Sequence, residues 1–153
     1  MTRDRGPGVA FLLAQLGSQA AMLFAERVRP MDLTPPQVGL MRAVAGQPGR
    51  SQRELADLLG LAPSRLVALV DELDARGMAE RRPNTEDRRQ YAVHLTEAGE
   101  ELMRQVGEAA RAHEDAICAG LTRAERETLR DLLARLAETH GLTPGVHPGF
   151  RRM

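Results

Sequence analysis

Two short helical segments separated by a very tight turn constrain the fold of this chain more than any other feature. Ser51-Gln52-Arg53-Glu54 has the spacing of an N-terminal capping box, which predicts a helix at 51–59. Gly60 supplies a stop signal, and the apolar periodicity begins again almost at once, which predicts a second helix at 63–76. A connection this short between two helices is typical of a helix-turn-helix.

The second helix of the pair has one apolar face and one polar face. Its apolar stripe has the spacing i, i+3, i+4, i+7 and consists of Leu66, Leu69, Val70 and Leu73. The opposite face carries Ser64, Arg65 and Ala68, and Glu72 lies on it further along, away from the phosphates. Near the N-terminal end are Pro63, Ser64, Arg65 and Ala68. These groups are candidate DNA contacts, because the helix dipole at that end favours phosphate and because this helix of the motif enters the major groove. Gln52 and Arg53 begin the preceding helix and are candidates for phosphate contacts.

A β-hairpin follows the two helices and makes the motif a winged helix. Strands are predicted at 78–82 and 91–95, and the loop between them is rich in arginine. Arginine at the tip can enter a narrow minor groove, and arginine at the root can hold phosphates. The candidates are Arg82, Asp87, Arg88 and Arg89. We expect the Asp87 carboxylate to hold the Arg89 guanidinium, because residues two apart share one face of an extended chain.

Four further helices are predicted from capping boxes and glycine stop signals, at 8–29, 34–45, 96–119 and 122–140. The predicted fold is therefore mainly α with a small β-hairpin wing. The first helix has more apolar surface than packing on one small lobe requires, so we expect it to join the last two in a two-fold dimer interface. The predicted organisation is an N-terminal dimerisation helix, a winged helix-turn-helix lobe, C-terminal dimerisation helices and a flexible tail, at 1–32, 33–95, 96–141 and 142–153.

Composition narrows the classes of function. All 21 basic residues are arginine and are matched by 21 acidic residues, so an anion-binding surface has to come from local placement of charge. No glycine-rich phosphate loop, zinc-protease motif or serine-hydrolase motif is present, so we predict no catalytic residue, metal ligand or cofactor. Cys118 is the only cysteine, which excludes an internal disulfide and fits the cytoplasm. The apolar start is interpreted as an amphipathic helix, with no signal peptide and no membrane span.

Several short motifs of this chain occur together in one known family. They are Leu33-Thr34-Pro35, Glu54-Leu55-Ala56, the segment Leu69–Gly77, and Asp87-x-Arg89 followed by Leu95-Thr96. Over residues 33–99 the chain resembles the MarR family of bacterial transcription regulators. The resemblance implies a homodimer that binds a pseudo-palindromic double-stranded DNA operator, as a repressor released by a small-molecule effector. It also implies that Arg89 enters the minor groove with Asp87 beside it. The chain departs from the family pattern in the recognition helix, where the basic group lies at Arg65 and Ala68 replaces a basic residue.

Two alternative functions remain open on the sequence. The first is a redox-sensing regulator of the same fold that uses Cys118, although the C-terminal end of its predicted helix disfavours the reactive thiolate. The second is a winged helix that binds another protein and has no DNA role. No pattern in the sequence identifies the residues that would bind an effector.

Overall fold

A computed structural model describes residues 6–149 of the chain. Within them the helices are α1 (Val9–Val28), α2 (Pro35–Gly46), α3 (Gln52–Leu59), α4 (Pro63–Ala75), α5 (Glu97–Ile117) and α6 (Arg123–Thr139). Strands β1 (Ala79–Pro83) and β2 (Tyr91–Leu95) form one antiparallel hairpin. Each predicted helix and strand is present, and its ends lie within two residues of the prediction. A 3₁₀ turn at Arg29–Met31, for which the sequence has no signal, connects α1 to the rest of the chain.

Helix starts are set by the capping boxes that the sequence predicts. The Glu54 carboxylate accepts the backbone N–H of Ser51 at 2.7 Å, and the Ser51 hydroxyl accepts the Glu54 N–H at 3.2 Å. Hydrogen bonds from the Ser51 backbone, and then from its side chain, hold the pKa of the Glu54 carboxyl below its usual value. Helices α2 and α6 begin with the same arrangement at Thr34 and Thr122. Local hydrogen bonds therefore decide where three of the helices begin.

The helix-turn-helix depends on Gly60, whose φ of 65° is left-handed and unfavourable for other residues. The N–H of Leu61 then returns to the carbonyl oxygen of Ala56 at 2.9 Å and closes α3. Gly77, with a φ of 70°, turns the chain from α4 into β1. The predicted stripe of α4 is buried in a core shared with α2, α3, α5 and the hairpin, to which the largest fully buried side chains belong: Val28, Leu40, Met41, Val44, Leu55, Leu66, Val70, Leu73 and Val93.

Helix α5 begins so close to the end of α4 that there is no room for a side chain at Gly99. A Cβ atom there would lie 1.9 Å from the carbonyl oxygen of Met78. The same oxygen accepts the N–H of Thr96 at 3.1 Å, so it cannot move away without losing that bond. Gly107, further along α5, is different, because a Cβ atom would meet only the Arg111 guanidinium at 3.7 Å.

Helix α1 corrects one expectation from the sequence. The segment Val9–Met31 has a mean hydropathy of 1.3 and is long and apolar enough to cross a membrane, so the expectation that no stretch approaches a span is wrong on length and composition. Within the described residues only the C-terminal end of this helix is buried, and the rest of its apolar window is not. Val28 is fully buried, and the Phe24 ring packs against His113 of α5 with the ring centroids 5.5 Å apart.

The C-terminal segment lies against the lobe over its described part, 142–149. Val146 packs on the core, and the Arg42 guanidinium on α2 donates to the carbonyl oxygen of Gly145. Residues of this segment line a shallow cavity of about 300 Å³ together with α2 and the end of α3. The segment predicted as a flexible tail thus has a defined contact here, while 150–153, like 1–5 of the predicted dimerisation helix, lies outside the described residues.

We expect Gly99→Ala to lower the free energy of unfolding by ~1–3 kcal/mol, because the new methyl group displaces the Met78 carbonyl. Gly107→Ala on the same helix is the matched control. It should raise the free energy of unfolding by ~0.5–1 kcal/mol, because alanine loses less backbone entropy than glycine on folding. Urea unfolding of both variants and the wild type at one protein concentration measures the changes, and equal stability of the two variants would contradict the expectation.

Candidate nucleic-acid interface

Helix α4 begins without a side-chain cap. Ala62, the residue before it, has no side-chain oxygen to accept a backbone N–H, and Pro63 has no N–H to donate. Pro63, Ser64 and Ala68 are exposed, and Ser64 and Ala68 lie on the side of the helix opposite the buried stripe. An anion at this end would meet the positive end of the helix dipole. The structure therefore exposes these three candidates, and Pro63 and Ser64 lie in the first turn, where the helix dipole favours an anion.

Arg65 lies at the edge of this exposed face and is half-buried. Its Nε atom is buried and has no hydrogen-bond partner within residues 6–149. A buried guanidinium donor without an acceptor is energetically costly. Within the described residues Arg65 is therefore not engaged through Nε as Arg81 is.

Arg81, at the root of the wing, is bonded to both helices of the motif. Its Nε donates to the side-chain oxygen of Gln52 at 2.7 Å, and its terminal nitrogens lie 2.6 Å from Asp71 and 3.4 Å from Asp74. The Arg81 side chain is only 20 % exposed. Arg81, which was not among the candidate contacts, is therefore not a free wing-root arginine, because α3 and α4 already use its guanidinium. The bond from Arg81 Nε also occupies the side-chain oxygen of Gln52, which is itself a candidate for phosphate contact.

Asp71 and Asp74 belong to this arrangement although no sequence motif identified them. They lie one turn apart on α4, the helix predicted to enter a groove. The sequence nevertheless indicated that these carboxylates need a cationic partner, because two carboxylates on a helix that binds DNA would repel phosphates unless a nearby cation neutralised them. Arg81 is that cation, and it follows Asp74 by seven residues.

Arg82 lies on the other face of the hairpin, as strand alternation requires. Its Nε donates to the Glu80 carboxylate at 2.7 Å. It borders a cavity of about 420 Å³ that is also lined by His94 and, from α5, by Glu100 and Arg104. The Arg82 side chain remains 56 % exposed, so the wing root has one engaged arginine and one that is largely open to solvent.

The tip of the wing is a turn and not an extended chain. The Asp87 carboxylate accepts the backbone N–H of Arg89 at 2.9 Å, and the Gln90 N–H donates to the Asp87 carbonyl oxygen at 3.0 Å. The expected bond between the Asp87 carboxylate and the Arg89 guanidinium is not formed in the described structure, because the alternation of an extended strand does not apply to a turn. Asp87 instead orders the backbone that carries Arg88 and Arg89, both of which are exposed.

Three elements therefore present the exposed candidate groups. Arg53 lies in the first turn of α3, Ser64 at the start of α4, and Arg88 and Arg89 at the wing tip. The Arg81 guanidinium bonds α3, α4 and β1 to one another, so it fixes the relative positions of the three. A helix-turn-helix with an open second helix, followed by an arginine-tipped hairpin, defines a winged helix-turn-helix protein.

Comparison with known proteins identifies the family. The model of the MarR family matches residues 31–90. A protein of Thauera aromatica, named as a transcriptional regulatory protein for the hcr operon, is 33% identical over 112 residues, which are 73% of this chain and 68% of that protein. The chain belongs to the MarR family of transcription regulators.

Solved structures agree with this assignment. The transcriptional repressor CouR bound to a 23-mer DNA duplex is 30% identical with a TM-score of 0.75, and the match covers 85% of this chain and 92% of CouR. A transcriptional regulator of the MarR family from Rhodococcus sp. RHA1 is 28% identical with a TM-score of 0.73, over 84% of this chain and 91% of that one. The similarity extends beyond the lobe, so the predicted fold class is confirmed over most of the chain.

We expect Arg81→Ala to lower the free energy of unfolding by ~1–2 kcal/mol, because two carboxylates and an amide oxygen lose their donor. Arg82→Ala is the matched control, since it removes the adjacent arginine with one exposed ion pair, and it should cost less than ~0.5 kcal/mol. Urea unfolding gives both values, and hydrogen exchange of the hairpin amides should be faster in Arg81→Ala alone. Similar effects of the two substitutions would show that Arg81 does not hold the wing.

Proposed function

We propose that the protein is a homodimeric, sequence-specific DNA-binding regulator that represses transcription from a pseudo-palindromic operator. The observation that carries the proposal is the Arg81 linkage, which presents the open start of α4 and the arginine-tipped wing as one unit. A helix in a major groove and a hairpin in the adjacent minor groove need such a fixed relation. The similarity to CouR, a repressor bound to a DNA duplex, supports the same activity for this chain.

The dimer interface is proposed to lie on α1 and α6. An open, almost entirely apolar cavity of about 410 Å³ runs between the two helices and is lined mainly by Val9, Leu12, Leu13, Leu16, Leu129, Leu132, Leu133 and Leu136. Each of these side chains is at least 38% exposed. An exposed apolar surface of this kind marks an interaction site. A second copy packed about a two-fold axis would cover both faces and place the two recognition helices about 34 Å apart, one turn of duplex.

Base reading is assigned to the start of α4. Arg65 is proposed to contact the O6 and N7 atoms of a guanine, a pairing worth ~1–3 kcal/mol of discrimination. Such a contact would also satisfy the donor that is buried in the unbound protein. Ser64 is proposed to contact phosphate or a base edge, and the small residues Pro63 and Ala68 let the helix approach the groove closely. These assignments make Arg65 the main source of sequence preference.

Backbone and minor-groove contacts are assigned to the remaining candidates. Arg88 and Arg89 are proposed to reach the minor groove, where the negative potential is enhanced. Arg53 and Arg82 are proposed to hold phosphates, which adds affinity without sequence preference. Gln52 acts mainly through Arg81, since its side-chain oxygen is already engaged.

Regulation is proposed to come from a small molecule that favours a different separation of the two lobes.

The described residues contain no group of three or more His, Cys, Asp or Glu side chains placed to hold a metal ion. The protein is proposed to work in the cytoplasm, where its DNA is, and to have a regulatory role without enzymatic activity.

The redox alternative finds little support around Cys118. The thiol lies half-buried at the C-terminal end of α5, with its Sγ 3.8 Å from the Glu114 carboxylate. Burial first, and then the negative charge of Glu114, raise the pKa of the Cys118 thiol. Both effects reduce the fraction of thiolate, which is the form that oxidants attack.

The wing is tested by Arg89→Ala, which should weaken operator binding about 10-fold or more, because each minor-groove arginine binds in a region of enhanced negative potential. Asp87→Ala should weaken binding less, by releasing the backbone of Arg89. Asp87→Asn should bind almost normally, because the amide oxygen can still accept the Arg89 N–H. Fluorescence anisotropy with an operator selected from a random duplex pool measures the three affinities, and Arg130→Ala on α6 is the control.

Two results of that experiment would count against the proposal. If the wild-type protein selects no DNA sequence, the operator-binding function is wrong and the protein-interaction alternative is favoured. If Arg89→Ala binds as tightly as Arg130→Ala, the wing does not take part in binding.

Cys118→Ser should bind the operator normally, and both it and the wild type should keep their affinity across a peroxide series, because the Cys118 thiol is held in its protonated form. Mobility shifts of the two proteins after peroxide treatment, with and without later reduction, test this. Release from the operator by oxidant in the wild type alone would overturn the expectation and establish the redox alternative.

A further inference from the structure

The backbone between α1 and α2 contains an unfavourable conformation. Asp32 follows the 3₁₀ turn with a φ of 55°, and it is the only residue other than glycine with a positive φ within residues 6–149. Non-glycine residues keep such a conformation where the surrounding structure enforces it. The segment joins the helix proposed to dimerise to the lobe proposed to bind DNA, so its geometry bears on how the two are oriented.

Arg76 supplies the enforcing contacts. It is the first residue after α4, and its guanidinium donates to the Asp32 carbonyl oxygen at 2.6 Å and to the Met31 carbonyl oxygen at 3.2 Å. The Asp32 carboxylate lies 3.8 Å from the same guanidinium. A planar guanidinium on two successive carbonyl groups restricts the peptide between them, which a single-point donor would not do.

The recognition helix has a second bond to the same connection. Gln37, near the start of α2, is 7 % exposed, and its amide nitrogen donates to the Glu72 carboxylate at 2.8 Å. Its side-chain oxygen accepts the N–H of Thr34 at 3.0 Å. Glu72 lies in the last turn of α4, one turn before Arg76, so the end of α4 is bonded twice to the segment that leads from α1 into the lobe.

The chain also passes between the lobe and the dimerisation helices at Thr96, and this second connection is bonded to the residues that directly follow Arg76. Thr96 links the wing to α5, and it donates from its hydroxyl to the Gly77 carbonyl at 2.5 Å and from its N–H to the Met78 carbonyl at 3.1 Å. The junction, defined as residues 76–78, is thus bonded to both connections through which the chain passes between the lobe and helices α1 and α5.

We propose that Arg76 is a positioning residue that fixes the orientation of α4 relative to the dimer body and so sets the half-site separation that the protein accepts. The inference rests on the proposed dimeric operator binding. Arg76 touches no DNA in this role. It acts on the segment at Met31 and Asp32. Without it, α4 loses its two-point bond to the connection that leads to α1, while the core that Val28 shares with the lobe remains.

Operators with altered spacing test the proposal. One base pair inserted between the half-sites separates them by a further ~3.4 Å and rotates them by roughly 35°. We expect the wild type to lose about 10-fold in affinity or more for one inserted or deleted base pair, a loss similar to that of one base contact. Arg76→Ala should lose less than about 3-fold on the same change, and its affinity for the original operator should be lower than that of the wild type.

Three variants separate positioning from general destabilisation. Arg76→Lys keeps the charge but not the two-point contact, and it should behave like Arg76→Ala. Asp32→Asn keeps both carbonyl acceptors and tolerates the left-handed backbone, so it should discriminate spacing like the wild type. Arg42→Ala also removes a guanidinium bonded to a backbone carbonyl, that of Gly145, and is the matched control expected to keep normal discrimination. Circular dichroism confirms that each variant is folded.

A second measurement does not depend on DNA. A spin label at Asp57→Cys on α3, in a Cys118→Ser background, reports the distance between the two lobes of a dimer. Adding Arg76→Ala should broaden this distance distribution, and adding Arg42→Ala should leave it unchanged. If the wild type selects no operator, the proposed function fails, and the distance distribution alone then decides the role of Arg76. Unchanged spacing discrimination together with an unchanged distribution in Arg76→Ala would overturn the inference.

Discussion

The pairing of Arg81 with two carboxylates of α4 is the interaction on which the relative placement of α3, α4 and the wing depends. Asp71 and Asp74 would repel a phosphate backbone if they were left unpaired, and Arg81 pairs with both while its third contact reaches Gln52 on α3. The same guanidinium therefore removes an electrostatic obstacle and joins three elements. A winged helix has a small core, and apolar packing alone fixes the orientation of its hairpin only weakly. A polar contact at the hairpin root that is shared with α3 and α4 therefore fixes the orientation of the hairpin relative to the two helices.

The neutral net charge of the chain becomes understandable from this partition of arginines. Arg76 and Arg81 form hydrogen bonds and ion pairs within the protein, whereas Arg53, Arg88 and Arg89 are exposed. A protein does not need a basic composition to present a basic surface, provided that its acids are paired internally. When exposed arginines bind DNA phosphates, the logarithm of the binding constant falls linearly with the logarithm of the salt concentration. The slope is proportional to the number of phosphates contacted.

The sequence was most informative where structure is decided locally. Capping boxes, stop glycines and apolar periodicity placed the helices, and strand alternation placed the hairpin, because these signals span only a few residues. The site was less predictable, because its side chains are bonded across long separations, as Arg81 is to Gln52 and Arg76 to Met31. Asp87 shows a further limit, since the role expected of it assumed a strand where the chain makes a turn. The docking of residues 142–149 on α2 likewise has no signal in the sequence.

The apolar face of α1 has a consequence for biosynthesis. Helix α1 leaves the ribosome well before α5 and α6 have been made, so the partners that pack on it within its own chain are absent when it emerges. Its apolar face is exposed at that stage and stays exposed in the folded single chain, where Leu12, Leu13 and Leu16 are each at least 39% exposed. An exposed apolar face of this kind favours non-specific association until a partner covers it, so the time between synthesis and assembly determines how long the chain is prone to aggregate.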